Sequence, residues 1–135
     1  MSPEQIDIVG ATWQRAARDR VRLCTALAER LPGPEAEREE RAAWIIDAVS
    51  LLSPVIDRPT RFVASAGDLI GRRGAVTMGE LGVDQSALLG ALDELLPDRT
   101  EADRRAWSLA LKLFEEAVAS MCLDPFARAE SGEAP

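Results

Sequence analysis

The stretch LLGALDELLPDRTEADRRAWSLAL, residues 88–111, holds two amphipathic helices and the device that joins them. Leu88, Leu92 and Leu95 recur at helical spacing and so share one face, and Pro97 ends the run because its ring nitrogen carries no hydrogen. Thr100 and Asp103 have the spacing of a capping pair, which starts the next helix at Glu101. On that helix Trp107, Ala110, Leu111, Phe114, Val118 and Met121 form one stripe, giving an expected extent from Glu101 to about Met121.

The same periodicity extends upstream, and β-branched residues are sparse. Ser2-Pro3-Glu4-Gln5 reads as a helix start, with a serine cap, proline in the first turn and glutamine three residues after the cap. Ile6, Val9 and Trp13 follow on one face, and the stripe continues through Val21, Cys24 and Leu27 to Leu31 with a break near Asp19. Two prolines and a glycine in LPGPE stop it. A second block runs from about Glu35 to Ser53 on the stripe Ile45, Val49 and Leu52. After Pro54 and Pro59, a third helix is marked by Phe62, Val63, Ala66, Leu69 and Ile70 and ends near Arg73. TMGE, residues 77–80, has capping-box form, but Gly79 and Gly82 predict no more than a turn there, with Asp84 capping the helix that follows. The expectation is an all-α domain of five to seven helices over residues 1–124, with 125–135 a polar, frayed tail.

Composition narrows the function. At 135 residues, 47% apolar and 29% charged, the chain is long enough for one hydrophobic core. A net charge of -7 repels nucleic acid and anionic membrane. No apolar run is long enough to span a bilayer, and the first residues lack a signal-peptide pattern, so a cytoplasmic location is expected. Cys24 and Cys122 match no metal-ligand spacing and read as reduced thiols.

The order of these signals resembles the single-domain bacterial globins and the globin part of flavohaemoglobins. SPEQIDIVGATW resembles their opening helix, and IDRPTRFVASAGDLIGRR the segment leading into and through the helix that carries the proximal iron ligand. The stretch quoted first resembles their last two helices, with Trp107 at the family's tryptophan near the start of the final helix. The resemblance covers residues 2 to about 122 and implies a globin-like fold.

The departures from that family set the functional expectation. The position following the two arginines, where the resemblance implies the iron-ligating histidine, is Gly74, and the chain contains no histidine. By the same resemblance the distal polar residue falls near Ala42 or Ala43 and the tyrosine of the second helix near Ala28. The second-to-third-helix connection is shortened and carries no aromatic wedge. No cofactor is therefore expected. An empty globin-sized cavity would be destabilising by roughly 24 cal/mol per Å³, so a largely collapsed pocket is predicted. Any space that remains is expected among Ile45, Val49, Phe62, Leu69 and Leu92, where a fatty acid or another apolar molecule would sit. A third reading is haem held by sulfur, from Met78, Cys24 or Cys122.

No serine has a histidine to activate it, no glycine-rich phosphate loop follows a strand, and adjacent carboxylates such as Asp93-Glu94 do not share a helix face; no enzyme is expected. Glu35, Glu37, Glu39 and Glu40 read as a solvated helix start. Leu109 and Leu113 lie one turn apart and off the main stripe. They either touch the N-terminal helices or form an exposed strip through which the last two helices pair in a homodimer. The favoured expectation is a haem-free globin-like bacterial protein, not an oxygen carrier, that regulates or scaffolds by binding another protein.

Overall fold

A computed structural model describes residues 1–73 and 77–133, with side chains for 1–72 and 77–120. Among these residues six α-helices follow in order: α1 (Pro3–Ala17), α2 (Arg20–Glu29), α3 (Glu35–Leu52), α4 (Pro59–Arg73), α5 (Met78–Leu95) and α6 (Glu101–Glu133). A 3-10 turn, Ser53–Val55, follows α3, and no strand occurs among the described residues. The fold is all-α.

Side-chain caps fix most of the boundaries. Ser2 and Gln5 form the reciprocal box that begins α1, at 3.2 and 2.9 Å. Asp19 accepts from the Arg22 amide at 3.1 Å and separates α2 from α1. Thr100 and Asp103 exchange bonds of 3.2 Å at the start of α6. Between α2 and α3 the chain turns through residues 30–34, where Gly33 takes φ of 104°, a left-handed conformation that disfavours any side chain.

Four expectations need correction. The segment from Thr77 is not a single turn: Thr77 caps the full helix α5, accepting from the Glu80 amide at 3.0 Å, and Asp84 lies inside that helix instead of capping it. The two glycines cost about 1 kcal/mol each in helix propensity. The burial of Leu81 and an ion pair made by Asp84 offset that cost. Val21 was expected in the core stripe but is 78% exposed, because the break at Asp19 resets the helical phase and α2 buries Leu23, Ala26 and Leu27. Val63 is likewise exposed, with α4 buried through Phe62, Ala66 and Leu69. At the other end of the chain, the α6 backbone stays helical to Glu133, past the expected end near Met121.

Helix α2 packs on α3 and on α5, α1 packs on α6, and α4 bridges α3 and α6. These helices enclose two apolar clusters. One gathers Leu23, Leu27, Ile46, Leu88, Leu92 and Trp107; the other gathers Phe62, Leu69, Leu81, Phe114 and Val118. Trp13 of α1 meets Trp107 with ring centroids 6.1 Å apart and tilted by 53°, and its indole N–H donates to Ser50 Oγ at 3.1 Å. No helix among the described residues is long and apolar enough to cross a membrane.

Candidate functional site

Two concavities stand out, one inside the helix assembly and one on its surface. The inner one is an apolar pocket of about 60 Å³ between α3, α4, α5 and α6. Trp44, Ile45, Ala48, Val49 and Leu52 of α3 form one wall, and Phe62 closes it from α4. Trp107, Ala110, Leu111 and Phe114 of α6 form the opposite wall. Its volume corresponds to about two waters and falls well below the roughly 300 Å³ at which pockets begin to enclose drug-sized ligands. Large aromatic side chains occupy the space instead. The Trp107 indole nitrogen is buried with no hydrogen-bond partner among the described residues.

Of the polar residues in the pocket wall, Ser53, Asp84 and Gln85, one has a charged partner behind it. Asp84 is 4% exposed and accepts from Arg41 Nε of α3 at 2.6 Å. Arg41 Nη2 also donates to the Glu80 carbonyl at 3.1 Å. The pair ties α3 to the first half of α5, and breaking it would leave a buried charge uncompensated. The signal for it was the spacing Leu81, Asp84, Leu88, which puts Asp84 on the core face once α5 is read as one helix.

Of the five residues expected to line a remaining pocket, Ile45, Val49 and Phe62 do so. Leu69 and Leu92 do not line it: Leu69 sits in the cluster under α4, and Leu92 is fully buried in the cluster under α2. None of the positions counted as distal lines the pocket. Ala42 is fully buried in the first cluster, Ala43 is half-buried, and Ala28 faces the surface groove described next. Gly74, the position of the absent proximal ligand, lies outside the described residues, as does the Cys122 side chain. Met78 packs beside the second cluster and Cys24 beside the first, so the two sulfurs do not converge and neither lines the pocket. Among the described residues no group of three or more Cys, Asp or Glu side chains is placed to hold a metal ion.

Leu109 and Leu113 do not form a strip. Leu113 packs beside the second cluster, whereas Leu109 is 40% exposed among Arg105, Ser108, Lys112 and Glu116 on the outer face of α6. A single half-exposed leucine within a charged face is ordinary surface.

The surface concavity is a groove of about 610 Å³ between α2 and the first turns of α3. Val21, Cys24, Thr25 and Ala28 line it from α2, and Glu35, Arg38 and Glu39 from the first turns of α3, with Arg20 and Glu29 also on its walls. Arg20 is held by Asp47 at 2.9 Å, and Arg38 Nη1 donates to the Ala28 carbonyl at 3.4 Å. Sequence reasoning missed this site because it placed Val21 and Cys24 in a continuous core stripe. Comparison with known proteins finds no family model, no curated protein and no solved structure that matches the chain.

Proposed function

We propose that the chain is a haem-free, globin-like bacterial protein that works in the cytoplasm as a regulatory or scaffolding module by binding another protein, and that it is neither an oxygen carrier nor an enzyme. The helix order and the pocket enclosed by α3, α4, α5 and α6 support a globin-like arrangement. The observation that carries the functional reading is the contrast between inside and outside. The pocket among the core helices holds about 60 Å³, while the groove beside the 78% exposed Val21 holds about 610 Å³. Interfaces of this kind have an apolar centre and a charged rim. Affinity capture with the full chain from its host, followed by reconstitution with the purified candidate, tests the reading. A partner that reconstitutes at stoichiometric ratio supports it, and the absence of any reconstituting partner removes it. Pairing of two copies through α5 and α6 is a weaker form of the reading, since Leu109 stands alone there.

A second reading, a sensor of a small apolar molecule, is favoured by the pocket's almost wholly apolar lining and by the indole N–H of Trp107, which has no partner among the described residues. It calls for a ligand much smaller than a fatty acid, or for helices that part to admit one. Native mass spectrometry of gently purified protein checks it, with a co-purified small molecule the supporting result. Haem held by a sulfur ligand has no comparable observation in its favour, and a Soret band on haem titration that is lost in Met78→Ala would revive it.

A further inference from the structure

We infer that the groove between α2 and α3 receives an amphipathic helix of another protein, one whose apolar ridge is flanked by lysine or arginine. This inference rests on the protein-binding reading and names the partner's chemistry. Val21, Cys24, Thr25 and Ala28 follow one another at the intervals of a single helix face, so α2 presents a row of small side chains, three of them apolar, as the groove floor, and the Thr25 hydroxyl is turned back onto the Val21 carbonyl at 3.0 Å. Small residues let another backbone approach, and a groove between two helices accepts a third by packing ridges into grooves. No strand edge exists among the described residues for an extended peptide to join.

Charge selects the kind of helix. With Arg20 neutralised by Asp47, the groove carries Glu29, Glu35 and Glu39 against Arg38 alone. Among the described residues none of these three carboxylates makes an ion pair. Glu35 and Glu37 are explained by the positive end of α3, which favours acidic residues. Glu29 is not, since it is the last residue of α2 and stands at that helix's negative end. Its position costs stability and adds to an uncompensated acidic rim beside an exposed valine. The net charge of -7 decides between a second copy of this chain and a foreign partner: like-charged copies repel, whereas a basic helix is steered toward this wall.

The test is fluorescence anisotropy with the full chain and a labelled leucine–lysine peptide whose leucines are spaced to form one helical face. A control peptide has the same composition but scattered leucines. Binding of the patterned peptide, at least about tenfold weaker for the scattered one, is expected. Ala28→Trp, which fills the groove, and the combined Glu29→Gln, Glu35→Gln and Glu39→Gln variant, which keeps its shape, should each weaken binding by about tenfold or more while circular dichroism stays unchanged. Equal binding of both peptides, or variants that bind like the parent, overturns the inference. Self-association of the parent that Ala28→Trp abolishes also overturns it, by making the occupant a second copy. The two levels separate in the capture experiment. A native partner held equally by the parent and by Ala28→Trp removes the groove and leaves the protein-binding reading intact, whereas no partner at all removes both.

Discussion

Filling the inner pocket provides a quantitative check on how far the interior has closed. Ala110 lines it from α6 and is itself buried, so Ala110→Val places two extra carbons in existing space. The favourable side has two parts. Burying the carbons contributes about 0.8 kcal/mol each. Removing a void of about 60 Å³ adds at most ~1.4 kcal/mol at roughly 24 cal/mol per Å³. Against these stand about 0.7 kcal/mol of helix propensity lost on going from alanine to valine, and an imperfect fit to the void. The expected net is a stabilisation of about 1 to 2 kcal/mol, or roughly 4 to 7 °C in Tm for a chain of this length. Ala91→Val is the control, because Ala91 is fully buried in the cluster under α2 and does not line the pocket. Overpacking there should destabilise by about 1 to 3 kcal/mol. Urea unfolding monitored by tryptophan fluorescence reads both, with the midpoint moving in opposite directions and the slope unchanged. If the two variants are destabilised alike, the space beside Ala110 is already occupied and the account of the pocket fails.

Gly90 offers a test of the α2–α5 contact: an added Cβ would lie 2.7 Å from Arg30 Nε, so Arg30 must give up its bonds to the Ala26 carbonyl and to Glu94. Gly90→Ala should accordingly be close to neutral in the parent yet stabilising by about 1 kcal/mol in an Arg30→Ala background, and equal effects in both backgrounds would refute the contact. Asp84→Ala should destabilise by about 3 kcal/mol, since Arg41 is left largely buried without its partner. The Arg41→Met/Asp84→Leu double variant should recover most of that loss in thermal or urea unfolding. The hydrogen-bonded Arg15 guanidinium holds the Asp98 carboxyl below its usual value of 3.8. A carboxylate with a depressed folded value contributes stability above its ordinary range and loses it as pH falls through the folded value. Carboxyl-carbon NMR titration should therefore show Asp98 rising toward 3.8 in Arg15→Met.

The sequence was most readable where one residue type has one structural use. The Ser2–Gln5 box, the break near Asp19, the turn at Gly33 and the Thr100–Asp103 pair all stand where their chemistry placed them. It misled where a local preference competes with burial. Gly79 and Gly82 weaken a helix in isolation, but Leu81 gains enough from the core to carry the helix through them, and Asp84 then changes from a cap into a buried ion-pair partner. The pocket was half legible. Ile45 and Val49 share a face with Ala48 and Leu52, which helical spacing gives directly, whereas Leu69 and Leu92 share a face with the pocket residues Phe62 and Leu88 and yet pack into clusters beyond the pocket. Which of two apolar neighbours a buried leucine meets depends on crossing geometry, and periodicity carries no information about that.

The surface groove was illegible for a related reason, and that reason bears on what the residues are for. A core position is explained by the stability it brings, so its identity says little about function. Val21 and Glu29 bring none: one exposes an apolar side chain to water, and the other sets a carboxylate at the negative end of its helix. Both lie on the walls of the same concavity, and the free carboxylates Glu35 and Glu39 face them across it. A sequence keeps locally unfavourable choices together where something else compensates for them, and function is the commonest such place. Leu109 lacks that company, since its neighbours on α6 are charged residues suited to solvent. The same comparison therefore favours the α2–α3 groove over the outer face of the last helix as the place where a partner binds.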